Sequence, residues 1–177
     1  TPLYSSAASD VYKRQECLAM RVSFTGDLGW ELYCEKHNQL ALYKLLIENA
    51  SQIGGGPVGS RALMSLRLEK GYGSWGREYS PEYWPHEVGL ERLIANKPNF
   101  INKNEVESVL ALPAREKLVV LKLNEADVRK SNADALGGEP IFKDGNGIGR
   151  VTSGGYGYSV NMSLALGFVK GLSLIHI

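Results

Sequence analysis

Cysteine is nearly absent from this chain: Cys17 and Cys34 are the only two among 177 residues. Two thiols at that spacing supply neither a metal knot nor a disulfide framework, and such scarcity fits a reducing compartment. His37 and His86 have no companion at metal-ligand spacing, so no metal is expected. No apolar run approaches the ~20 residues that a membrane-spanning helix needs, so no membrane partner is expected. An excess of one charge is missing too. The 20 lysines and arginines meet 19 aspartates and glutamates, and bulk charge therefore gives a nucleic-acid partner no support. Internal repeats and low-complexity tracts are also lacking. What remains is enough chain to bury the core of one domain or two small ones.

The two ends read differently from the rest. Residues 10–15 back-translate as gatgtgtataagagacag, and residues 172–177 as ctgtctcttatacacatc, its reverse complement. Residues 5–9 extend the first string upstream as tcgtcggcagcgtca. This is the pattern of a transposase-end sequencing adaptor, so residues 5–15 and 172–177 are read as translated adaptor, with 1–4 suspect. Removing Lys13, Arg14 and Asp10 leaves 18 charges of each sign. The expected authentic segment runs from about Glu16 to Gly171, with both biological ends missing.

Periodicity then orders the segment. Residues 21–24 and 30–34 alternate as strands, with a glycine-containing hairpin turn at 25–29. From His37 to Ala50, Leu40, Tyr43, Leu46, Ile47 and Ala50 recur at helical spacing, and Gly54 to Pro57 stops that helix. A second helix is expected from Ser60, a residue able to cap a first turn. Ser80-Pro81-Glu82 resembles another helix start, 87–94 is short and apolar, and 102–112 reads as a linking helix closed by Pro113. Beyond it, 117–123, 139–143, 149–153 and 163–169 are strands with turn signals between them, the pattern of a small barrel or sandwich. A boundary is expected near residues 103–115.

The most informative stretch is Pro57 to Tyr79. Its helix carries Arg61 and Arg67 among apolar residues and runs straight into Gly71, Gly73, Trp75 and Gly76. A helix that faces a ligand accounts for two guanidinium groups in a core-type pattern. Gly71, Gly73 and Gly76 spell the dinucleotide fingerprint, but that motif works only between a preceding strand and a following helix, a context missing here. Glu31, beside Trp30, is a carboxylate on a strand with apolar neighbours. Periodicity alone favours an ordinary solvated position for it. Ser153, in a glycine- and tyrosine-rich run, has no histidine or acid in a triad-like order and reads as structural.

Together these pieces resemble the glycine-cleavage T-protein (aminomethyltransferase) superfamily, in the branch formed by the folate-binding part of FAD-dependent dimethylglycine and sarcosine dehydrogenases. The resemblance covers Cys17 to Lys170. Its most specific parts are the turn from Gly26 to Glu31, Arg61 to Glu69, Trp75 to Glu78, Phe100-Ile101 with Lys103, and Gly138 to Ile141 with Val151 to Gly155. The family's turn motif, tyrosine-threonine-glycine-glutamate-x-glycine-x-glutamate, looks like Phe24 to Glu31.

The resemblance implies an α+β fold. Residues 16–103 would be the C-terminal half of a T-protein-like folate-binding domain, and 104–171 a linker helix with an incomplete antiparallel β-barrel. It implies tetrahydrofolate as ligand, with Glu31 on the pterin, Arg61 as a second folate contact, Trp75 as a stacking aromatic and Phe24 as an apolar wall where the family places tyrosine. A carboxylate accepts two parallel hydrogen bonds from an amino-pyrimidine edge, which explains the residue type at Glu31. A core position for Trp75 stands beside the stacking role. Arg67 is expected to pair with a carboxylate.

The family's catalytic aspartate lies upstream, so no catalytic residue is assigned here. FAD and the N-methyl amine substrate belong to the missing N-terminal part of the parent. The one-carbon unit would be captured as methylene-tetrahydrofolate, in the cytoplasm or, in a eukaryote, the mitochondrial matrix. A non-catalytic regulatory relative, as the pyruvate dehydrogenase phosphatase regulatory subunit is, a free-standing aminomethyltransferase and a sulfonium demethylase are the alternatives.

Overall fold

A computed structural model describes residues 17–94, 99–125, 128 and 133–170, together with the short strand Tyr4–Ser5. Most of the residues read as adaptor, 6–15 and 172–177, lie outside the described residues. The chain forms two compact units, Thr1–Met64 and Ser65–Ile177.

In the first unit, β1 (Tyr4–Ser5), β2 (Cys17–Met20) and β3 (Glu31–Cys34) make an antiparallel sheet in that order. The expected strand at 21–24 is corrected: the strand is Cys17–Met20. The Val22 N–H turns back to donate to the Met20 carbonyl at 3.0 Å, which takes the chain out of the ladder. The connection therefore spans ten residues rather than a tight turn. Gly29 is required within it, because a Cβ there would sit 2.8 Å from the Val22 carbonyl oxygen. In the β2–β3 register Cys17 stands directly opposite Cys34, both free thiols. A 3₁₀ turn over Lys36–Asn38 leads into α1 (Gln39–Gln52), as the helical spacing predicts. The apolar residues of α1 stay open, and Leu40, Tyr43 and Leu46 border a cavity of 360 Å³ with Leu32 and Cys34.

Helix α2 (Ser60–Glu69) begins where predicted. The Gly59 carbonyl accepts the Leu63 N–H at 3.1 Å, so Gly59 caps it and Ser60 is its first helical residue. Its end is a Schellman motif. Tyr72 N–H bonds the Arg67 carbonyl and Gly71 N–H the Leu68 carbonyl, both at 2.9 Å, with Gly71 at φ +68°. That geometry is what the first glycine of the apparent fingerprint serves.

The second unit is built on a four-stranded antiparallel sheet. Its strands are β4 (Lys117–Lys122), β5 (Pro140–Lys143), β6 (Asn146–Gly157) and β7 (Met162–Val169), in the spatial order β4-β7-β6-β5. This is the incomplete antiparallel barrel expected, open rather than closed. β7 lies inside it, and every residue from Ser163 to Val169 is buried. The core gathers Val151, Leu164, Leu166, Phe168 and Val169, with Leu68 of α2, and Tyr83 stacks on Phe168 with ring centres 3.8 Å apart. Helix α3 (Lys103–Leu110) precedes β4. The expected helix start at Ser80 is corrected to a turn. There Ser80 Oγ accepts the Glu82 N–H at 3.3 Å and its carbonyl accepts the Tyr83 N–H at 3.2 Å, leaving the local bonds satisfied without a helix. Residues 91–93 form one 3₁₀ turn.

Candidate functional site

Glu31 opens β3 with its side chain exposed. The Tyr33 hydroxyl, two residues on and so on the same face of the strand, donates to Glu31 Oε2. That bond, helped by the charge of the carboxylate, pushes the Tyr33 hydroxyl up from its ordinary pKa. It also fixes one carboxylate oxygen and leaves the other open to a further donor. Phe24 is half-buried in the β2–β3 connection, and Arg61 is exposed in the first turn of α2. These three belong to the first unit. Trp75 belongs to the second and is 88% exposed. Among the described residues of the first unit no hydrogen bond, ion pair or ring contact joins any two of Phe24, Glu31 and Arg61.

Arg67 does pair with a carboxylate. Its Nη1 lies 3.4 Å from Glu78 Oε2, and both side chains are essentially buried. Glu78 also accepts the Ser74 N–H at 2.7 Å, Ser74 Oγ at 3.0 Å, Thr152 Oγ1 at 2.7 Å and the Ser153 hydroxyl. Burial alone would push this carboxyl up. The Ser153, Ser74 and Thr152 hydrogen bonds and the Arg67 charge outweigh it and hold Glu78 below the usual carboxylate range. Burial pulls the Arg67 pKa down, with the charge of Glu78 working against it. Ser153 is thus structural, as read. Glu78 was not singled out from the sequence. The signal was there in half: an arginine needing a carboxylate, and a glutamate eleven positions on.

No helix among the described residues is long and apolar enough to cross a membrane. Among the same residues no group of histidine, cysteine and acidic side chains could hold a metal ion.

A carboxylate-bearing strand, an arginine-bearing helix that runs into a glycine-rich loop, and a separate open antiparallel barrel define a two-part α+β protein of the aminomethyltransferase fold. Residues 2–97 match the GCVT N-terminal domain, and residues 117–174 match the glycine cleavage T-protein C-terminal barrel domain. The chain belongs to the glycine cleavage T-protein family. It is 39% identical over 153 residues to the mitochondrial dimethylglycine dehydrogenase of Homo sapiens, which is 85% of this chain and 17% of that one. Against the mitochondrial sarcosine dehydrogenase of Mus musculus it is 31% identical over 155 residues, 86% of this chain and 16% of the other. The crystal structure of glycine cleavage system aminomethyltransferase T from Bartonella henselae superposes with a TM-score of 0.72 at 27% identity, covering 87% of this chain and 42% of that one. The chain thus spans less than a fifth of the dehydrogenases it matches.

Proposed function

We propose that this chain is the tetrahydrofolate-binding, one-carbon-transfer module of a dimethylglycine/sarcosine dehydrogenase-like oxidoreductase. The observation that carries the reading is the 39% identity to dimethylglycine dehydrogenase across 85% of the chain; the motif resemblance assigns Glu31 and Arg61 to the folate. The donor and acceptor chemistry fits a pterin. Glu31 is charged, exposed and oriented by Tyr33, so its open oxygen can accept an N–H from an amino-pyrimidine. Arg61 supplies a cation for the folate, Phe24 an apolar wall and Trp75 an aromatic face. In the full-length protein, FAD supplies the oxidation of an N-methyl amine, and no residue of this chain is assigned to it. The residues here hold tetrahydrofolate while the one-carbon unit is captured as methylene-tetrahydrofolate. For a eukaryotic source the reading puts the protein in the mitochondrial matrix, which agrees with the mitochondrial dehydrogenases it resembles.

The test is dye-linked oxidation of dimethylglycine and of sarcosine by the full-length protein, with and without tetrahydrofolate. Capture requires free formaldehyde to fall and methylene-tetrahydrofolate to appear in its place. Formaldehyde release unchanged by saturating tetrahydrofolate defeats the reading. Tetrahydrofolate binding without product points to a non-catalytic relative.

A further inference from the structure

Glu78 is fully buried, and a buried ion pair is weak support for stability. Here the pair is not even fully satisfied, because buried Arg67 Nε has no hydrogen-bond partner. The arrangement holds geometry instead. Two of the bonds to Glu78 come from Ser74, the residue before Trp75. Arg67 Nη1 also donates to the Tyr72 carbonyl at 3.0 Å, tying down the other side of the same loop. The Ser74 carbonyl accepts the Glu78 and Tyr79 N–H groups at 3.1 Å each, and Gly76 N–H bonds the Tyr79 carbonyl at 2.9 Å. Trp75 therefore sits on a backbone fixed on both sides, while its own side chain is 88% exposed.

The opposite wall is built for the same carboxylate. On a regular strand, Thr152 and Ser153 would point to opposite faces. The register of β6 against β7 shifts between Val151 and Ser153, a bulge that inserts Thr152 and re-aims it. Both hydroxyls then reach Glu78 Oε1.

We infer that Glu78 is a positioning residue for Trp75, locking the 71–79 loop to β6 so that a free indole is presented from a fixed backbone to a planar aromatic ligand. The inference rests on the tetrahydrofolate reading for the identity of that ligand, and on the hydrogen-bond geometry alone for the locking. Fixing the loop before binding removes the backbone part of the ordering cost that a mobile loop would impose on the complex.

The experiment uses the full-length protein with Glu78→Gln, Trp75→Ala and the double variant, with tetrahydrofolate as probe. Each single variant is expected to weaken tetrahydrofolate binding about tenfold. The double variant should be no weaker than Trp75→Ala, because Glu78 acts through that indole. Multiplying effects, or a lower Tm for Glu78→Gln at unchanged affinity, would overturn the positioning role. Should Glu78→Gln fail to fold, Ser153→Ala removes one donor while keeping the ion pair. A ligand-free readout separates the two ideas: 5-fluorotryptophan resonances, with that of Trp75 assigned by its substitution. The Trp75 signal should broaden or shift in Glu78→Gln or Ser153→Ala. An unchanged signal refutes the locking, whereas a wild type that never binds tetrahydrofolate refutes only the ligand assignment.

Discussion

Arg115 grips Glu87 with both arms of its guanidinium, Nε meeting Oε1 at 2.8 Å and Nη2 meeting Oε2 at 2.7 Å. Each oxygen takes a second bond, from the Arg115 N–H at 3.0 Å and the Trp84 N–H at 2.8 Å. The clasp ties the turn at 84–88 to the residues that enter β4, where Leu118 N–H bonds the Glu87 carbonyl.

Because of that fork, the Glu87 carboxyl is held down from 4.5 to about 2. A depressed carboxylate stabilises the fold fully above its unfolded value and loses that contribution as the pH falls through the folded one. The shift sets an upper bound of about 3 kcal/mol, reduced by solvent screening because the Arg115 side chain is 60% exposed. The contribution is present at neutral pH and fades between pH 4.5 and 2. Urea midpoints of wild type and Glu87→Gln should differ clearly at pH 7 and converge towards pH 2. A gap that is the same at both ends would mean the carboxylate carries no charge-dependent load.

Glu31→Gln in the full-length protein replaces a charged acceptor with an amide that presents one acceptor and one donor. Tetrahydrofolate binding is expected to weaken by roughly 1.5–3 kcal/mol, on the order of tenfold to a hundredfold in Kd. Amine oxidation should not change. Calorimetric titration with dye-linked oxidation as control checks both, and an unaltered affinity returns Glu31 to an ordinary strand residue.

Two glycines should respond in opposite directions to the same substitution. A Cβ on Gly149 would lie 2.0 Å from the Phe168 carbonyl oxygen, inside the β6–β7 ladder, so Gly149→Ala should cost about 3 kcal/mol or more. Gly56 faces open space, and Gly56→Ala should be neutral or stabilising by about 0.5 kcal/mol through the unfolded chain. Thermal unfolding of the pair measures the contrast.

Phe168 is completely buried, with Tyr83 on one face and the Arg150 guanidinium 5.7 Å from its ring centre. Truncation to alanine should destabilise the protein by about 3–5 kcal/mol. The coupling between Tyr83→Ala and Phe168→Ala, read from a double-mutant cycle, should fall near 0.5–1.5 kcal/mol.

Local chemistry made much of the fold legible. The start of α2, its run into glycine and the β5 and β6 strands about the turn at 144–145 follow from periodicity and turn residues a few positions apart. Readings failed where a bond between residues two or three apart set a turn that side-chain alternation does not show. The alternation at 21–24 yields to the back-bond from Val22, and Ser80 spends its hydroxyl on a turn. The site was half legible because its missing half is long-range. Glu31, Arg61, Phe24 and Trp75 could be picked out as types in a motif, but Glu78 gains its meaning from Thr152 and Ser153, more than seventy positions away and aligned only by a bulge. Cys17 and Cys34 look unrelated as a spacing and become neighbours only through strand register.

The order of the sheet also bears on how the chain is made. β6 and β7 are joined by a short turn around Asn161, at φ +52°, and can zip together as soon as both have left the ribosome. β4 emerges earlier, yet among the described residues its partner in the sheet is β7, which follows about forty residues later. Closing that longer loop costs roughly 2 kcal/mol more than closing the hairpin. At about 5–20 residues per second, the apolar run from Leu118 to Leu121 waits for seconds without its ladder. During that interval the unpaired strand is open to pairing with another chain, a hazard the finished sheet reduces.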